Sequence, residues 1–195
     1  MPISRAAIAI SLLIAGGAAH AQQHAASPYA GEERRQIASL SKNDLAELRS
    51  GHGWGLALPA ELNGVPGPTH LLEMSKEIGL TNTQIAALTV IRDRMRAEAI
   101  EAGERFIASE RALNDAFVDG APDAGTLAQL VDAAGEARAN LRFAHLSAHL
   151  ETLPLLTTHQ VTLYNRWRGY HHADPCKSIP KGHDEAMWRA HNGCE

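Results

Sequence analysis

The pentapeptide Leu80-Thr81-Asn82-Thr83-Gln84 recurs as Leu156-Thr157-Thr158-His159-Gln160, and no other feature constrains the fold as much. In each copy the threonine is placed to cap a new helix, accepting a hydrogen bond from the third backbone N–H. Gln84 and Gln160, three residues on, can reach back to the cap's own N–H. Leu80 and Leu156 precede the cap, where an apolar residue can staple the incoming chain against Ile85 and Val161. Two helices therefore start by the same device.

The stretch between the two boxes is helical in pattern. Ile85, Leu88, Ile91, Met95, Ala99, Ala102, Phe106, Leu113 and Phe117 recur at threes and fours as far as Val118. A helix over that range is about 55 Å long. Asp119-Gly120-Ala121-Pro122 breaks it, and Asp123 can cap a return helix. Leu127, Leu130, Val131, Ala134, Leu141 and Ala148 mark the seam of that second helix, which is expected to end near Pro154. The second box then starts a final helix from His159 to Arg168.

Upstream, a helical stretch is expected from Glu32 to Arg49, restarted at Ser41 and Asp44 and ended by Gly51-His52-Gly53. Residues 53–62 are amphipathic but interrupted by Gly55 and Pro59. Asn63-Gly64-Val65-Pro66-Gly67-Pro68 is a turn cluster, and Thr69 to Ile78 forms a short helix stopped at Gly79. Aromatic residues are only 5% of the chain, which suits close-packed helices better than a sheet. The expected fold is all-α, a long antiparallel helical hairpin with short flanking helices. Helices this long rarely bury an apolar stripe alone, so a homodimer is expected.

Residues 1–21 read as a secretory leader. Arg5 supplies the positive charge, Ala6 to Ala15 a short apolar run, and Ala19-His20-Ala21 a cleavage site before Gln22. The run falls short of the roughly 20 residues that span a bilayer. Export to a periplasm is the expectation. Residues 22–170 then form the helical domain and residues 171–195 a tail. The formal charge is −4 and becomes one unit more negative without Arg5. That balance disfavours nucleic acid and weakly favours cations.

His145 and His149, four apart on a helix, project from one face and can share a transition metal. His70 and Met74 form a second such pair, whose donors suit copper, nickel, cobalt or zinc better than calcium or magnesium. Each pair lies just before one capping box, so the hairpin brings both to its open end, beside Arg92 and Asp93. A joint site of His70, Met74, Asp93, His145 and His149 is the resulting expectation. Glu73 is another carboxylate nearby, expected to point away from His70. The plainer alternative is that Met74 is core and the histidines line a polar groove.

The two boxes and the hairpin between them resemble the LTXXQ group of bacterial envelope proteins, from about Tyr29 to Tyr170. That group includes Spy- and CpxP-like chaperones and adaptors, and CnrX- and ZraP-like heavy-metal sensors and binders. The sensors resemble this chain in carrying a His-x-x-x-His pair before the first long helix and a His-x-x-x-Met pair before the second box. Here the pairs read His70-x-x-x-Met74 and His145-x-x-x-His149, so the donor types are exchanged, and Asp93 stands near the carboxylate position. The resemblance implies a periplasmic metal sensor or resistance protein with an inner-membrane sensor or anti-sigma partner. Its other implication is an ATP-independent chaperone or sensor-kinase adaptor, whose unfolded clients would meet Arg92, Met95 and Arg96 on a cradle-shaped dimer. Neither needs an organic cofactor.

An oxidising compartment favours a disulfide between Cys176 and Cys194. The alternatives are free thiols and a zinc site with His183 and His191, although that spacing matches no common zinc pattern. No nucleophile elbow, phosphate loop, dinucleotide turn or H-E-x-x-H pair is present, and an enzyme is not expected.

Overall fold

The computed structural model describes residues 27–170, 176–177, 179, 184–191 and 194. The expected leader lies outside the described residues, as do His171, His172, His183 and the side chain of His191. The chain forms two compact units, residues 1–33 and 34–195. The described part of the first is a tight turn in which Ala30 N–H donates to the Ser27 carbonyl. The second unit carries the fold.

The fold is all-α: the described residues contain helices and no strand. Two long helices dominate it, α5 (Asn82–Val118) and α6 (Ala124–Thr152), packed along each other as a hairpin. Ahead of them come α1 (Lys42–Ser50), α2 (Leu58–Glu61), α3 (Pro68–Glu73) and α4 (Ser75–Ile78). After them come α7 (Thr158–Trp167) and α8 (Glu185–His191). Helix α1 packs on α5, α3 touches both α5 and α6, and α4 packs on α7. Among the described residues no helix is long and apolar enough to cross a membrane.

Both capping boxes form as their spacing requires. Thr81 accepts from Gln84 N–H while Gln84 Oε1 accepts from Thr81 N–H, and Thr157 with Gln160 repeats this. The two glutamines then bond to each other. Gln84 Nε2 donates to Gln160 Oε1 at 2.8 Å, and Gln160 Nε2 donates to Gln84 Oε1 at 3.0 Å. Their second N–H groups reach the Leu155 and Gly79 carbonyls. One amide pair thus caps two helices and clamps their starts together.

Two upstream expectations are corrected. Residues 32–49 are not one helix: a 3-10 turn at Glu32–Arg34 is followed by non-helical chain, and α1 starts only at Lys42, behind the Ser41–Asp44 capping box. The intervening chain is held on α5, where Ala38 N–H donates to Asn114 and Ser39 Oγ to Glu110. This buries Ile37 and Leu40 completely. The 69–78 helix is broken into α3 and α4 at Met74, whose backbone leaves the helical range. Gly79, at φ 71°, closes α4.

The core divides into two apolar clusters. Ile37, Leu40, Leu48, Leu56, Ala99, Phe106 and Leu141 form one; Leu71, Ile78, Leu88 and Tyr164 form the other, with Met74 and Leu156 against it. Between them, α5 presents Met95 and α6 presents His145 and His149. The cavity described next lies in that interruption.

The tail's cysteines are joined, Cys176 to Cys194.

Candidate functional site

A cavity of about 250 Å³ lies where α5 and α6 meet the 51–57 loop, α2 and α3. His70, His145, His149, Glu61, Glu73 and Met95 are on its wall.

His145 and His149 project from the same face of α6, as four-residue spacing dictates, and are only 3% and 5% exposed. His149 Nδ1 lies 2.8 Å from the Val65 carbonyl. A carbonyl can only accept, so Nδ1 donates to it and Nε2 is the nitrogen left for another partner. Gly67 leaves that edge uncovered: a Cβ there would stand 2.6 Å from His149 Nε2 and Cε1. Thr152, whose hydroxyl lies 2.6 Å from the Pro66 carbonyl, pins the 65–67 loop against α6. His145 Nε2 is buried with no hydrogen-bond partner. Burial, and then the charge of His149, hold the His145 pKa below the ordinary histidine value.

His70 approaches from α3. Its Nδ1 lies 2.8 Å from Glu73 Oε2, so Glu73 turns towards His70 rather than away, an i,i+3 contact on the same helix face. The carboxylate accepts, the proton sits on Nδ1, and Nε2 faces Glu61 Oε1 at 3.9 Å. A carboxylate behind an imidazole in this way is the usual support for a metal-ligating histidine.

Glu61, on α2, has a divided role. Its Oε2 accepts from Tyr170 Oη at 2.7 Å, Tyr164 Oη at 3.2 Å and Arg168 Nη2 at 3.3 Å. Its Oε1 faces His70. Burial raises the Glu61 pKa, but the Tyr170 hydrogen bond and the charges of His70 and Arg168 outweigh it, and the carboxyl ends below its ordinary value. Burial and the Glu61 charge in turn push Tyr164 far up.

The cavity therefore gathers imidazole nitrogens of His70, His145 and His149 together with one carboxylate oxygen. Among the described residues, no three His, Cys, Asp or Glu side chains already stand close enough to hold a metal ion. The donor types fit a borderline divalent ion, and an unpartnered buried Nε2 is the feature such an ion would relieve. Bringing the donors together requires side-chain rotation.

The expected joint site is only partly assembled. Met74 packs on the Leu71–Leu88–Tyr164 cluster and does not line the cavity. Asp93 is exposed and bonded by Arg92, also off the cavity wall. Met95 is buried and faces the cavity, so it presents no open surface to a client, while Arg92 and Arg96 line an adjoining recess. Glu61 was not among the sequence candidates, because α2 is a four-residue helix with no periodicity to show that its carboxylate is buried.

Comparisons of the chain with protein-family models, with curated proteins and with solved structures found no match.

Proposed function

We propose that this chain is an exported envelope protein that binds a divalent transition metal (zinc, nickel, cobalt or copper) in this cavity, as a metal sensor or resistance component. The observation that carries the reading is the unpartnered, buried Nε2 of His145 beside His149 and His70, whose proton-bearing Nδ1 atoms are held by the Val65 carbonyl and Glu73. The leader-like residues 1–21 and the LTXXQ resemblance support the periplasmic setting. Metal supplies a charge that binds several lone pairs at once; the chain supplies donors on α2, α3 and α6. Drawing them together biases how α3 sits on α6, a population shift set by the metal's differential affinity. Glu61 links this to α7, because its other oxygen holds Tyr164 and Tyr170.

Thermal unfolding of residues 22–195 with Zn²⁺, Ni²⁺, Co²⁺ and Cu²⁺ tests the reading. Metal at 100 times its dissociation constant stabilises by about 2.7 kcal/mol. The shift should vanish in the His145→Ala/His149→Ala variant and shrink in Glu61→Gln. No shift with any of these metals would sink the proposal.

A second reading, an ATP-independent chaperone or a sensor-kinase adaptor, is favoured by the outer face of α6. Phe143 and Leu150, two turns apart, are 72% and 65% exposed, an apolar strip suited to a client or a second copy of the chain. Under that reading, suppression of client aggregation survives the double histidine variant and is lost in Phe143→Ser/Leu150→Ser.

A further inference from the structure

Beside the histidine cavity lies a smaller recess of about 120 Å³, sharing Gly51, His52, Thr69 and Met95 with it and lined also by Ser50, Arg92 and Arg96. Its lining holds two guanidinium groups and no carboxylate. Arg92 and Arg96 are four apart on α5 and share a face; Asp93 already pairs with Arg92, whereas Arg96 has no carboxylate partner among the described residues.

The hydrogen bonds show what these groups leave unused. Arg96 Nε donates to the Ser50 carbonyl at 3.1 Å, and its two terminal amino groups take no partner among the described residues. Arg92 gives Nε and Nη2 to Asp93, which stands outside the recess, and retains Nη1. The Thr69 hydroxyl, arriving from α3, has no hydrogen-bond partner among the described residues either.

The wall opposite packs closely on α5. Gly51, at φ 69°, lies so close to α5 that a Cβ would meet the Arg96 carbonyl at 2.9 Å and Arg96 Cγ at 3.0 Å. Ser50 and Gly51 therefore hold the Arg96 stem in place, which reduces the ordering cost of using its fork.

We propose that this recess binds a small inorganic oxyanion of the phosphate or sulfate class, held by Arg96 and Arg92 and oriented by the Thr69 hydroxyl. Paired guanidinium N–H groups match adjacent oxygens of such an anion, and charge-assisted bonds of this kind are among the stronger ones. The volume suits a single inorganic anion. The site stands independently of metal binding, although an anion here and a cation in the adjoining cavity would attract each other.

Isothermal titration of the intact protein with sodium phosphate and with sodium sulfate, each against sodium chloride at equal ionic strength, tests this. Saturable binding is expected for at least one oxyanion, weakened tenfold or more in Arg92→Gln/Arg96→Gln and retained in His145→Ala/His149→Ala. Absence of saturable binding beyond the chloride control would overturn the proposal, as would unchanged affinity in the double arginine variant. Should that variant fail to fold by circular dichroism, amide chemical shifts of the unsubstituted protein decide. Phosphate-dependent shifts confined to residues around Ser50, Thr69 and Arg96 support the site, and shifts elsewhere or none refute it.

Discussion

Replacing Gln84 or Gln160 by methionine, which keeps side-chain length and helix preference, tests whether the repeated box is one interaction or two. Gln160 makes four hydrogen bonds: one from Thr157 N–H, two with Gln84 and one to the Gly79 carbonyl. At a net contribution of about 1 kcal/mol each, Gln160→Met should cost roughly 2–4 kcal/mol, with Gln84→Met close behind. The double variant should cost less than the sum, because both singles break the same amide pair. Two shared bonds put the coupling at about 1–3 kcal/mol. Urea unfolding of the four proteins measures it, provided the slopes agree. Costs that add to within about 0.3 kcal/mol would mean that each glutamine serves only its own helix.

Gly67→Ala places a methyl group on the open edge of His149 and should destabilise by roughly 1–3 kcal/mol while weakening any metal-induced thermal shift; calorimetry with and without Zn²⁺ measures both. Gly103→Ala drives a Cβ to 2.8 Å from the Leu48 carbonyl, so α1 must lift from α5 at a cost of similar size, visible as a lower urea midpoint. Because folding depresses the His145 pKa, the unfolded chain takes up that proton first as pH falls. Stability should drop as pH falls through about 6.5, flatten below the folded-state pKa, and lose this component in His145→Leu. Glu61 acts lower down: its depressed folded pKa contributes stability above the ordinary carboxyl range, lost as pH falls through the folded value. Melting temperatures of Glu61→Gln should therefore be flatter below about pH 4.5.

The large features of the fold were legible because each has a local cause. Threonine caps, three-four apolar spacing and the Asp119–Pro122 break are written in adjacent residues, and both long helices follow them to within a residue or two. Residues 35–40 misled because their conformation is decided by Asn114 and Glu110 on α5, far along the chain. The break at Met74 has the same character: its apolar side chain is drawn into a cluster with Tyr164, which helical periodicity cannot foresee. In the candidate site, the histidines were visible through their spacing. Glu61 was not, since its burial depends on Tyr164, Arg168 and Tyr170 arriving from the far end of the domain. Trp54 is a further case, a bulky residue at φ 43°. It is held by its indole N–H on Asp44 and by packing on Phe106.

The interruption of the core has a dynamic consequence. Two apolar clusters with a polar void between them, spanned by the long helices and by the 51–73 segment, need not open as a single cooperative unit. Native-state hydrogen exchange should divide α5 near Met95, with one protection level around Leu88 and another around Ala99 to Phe106. A ligand bridging α3 and α6 would fuse the two levels into one.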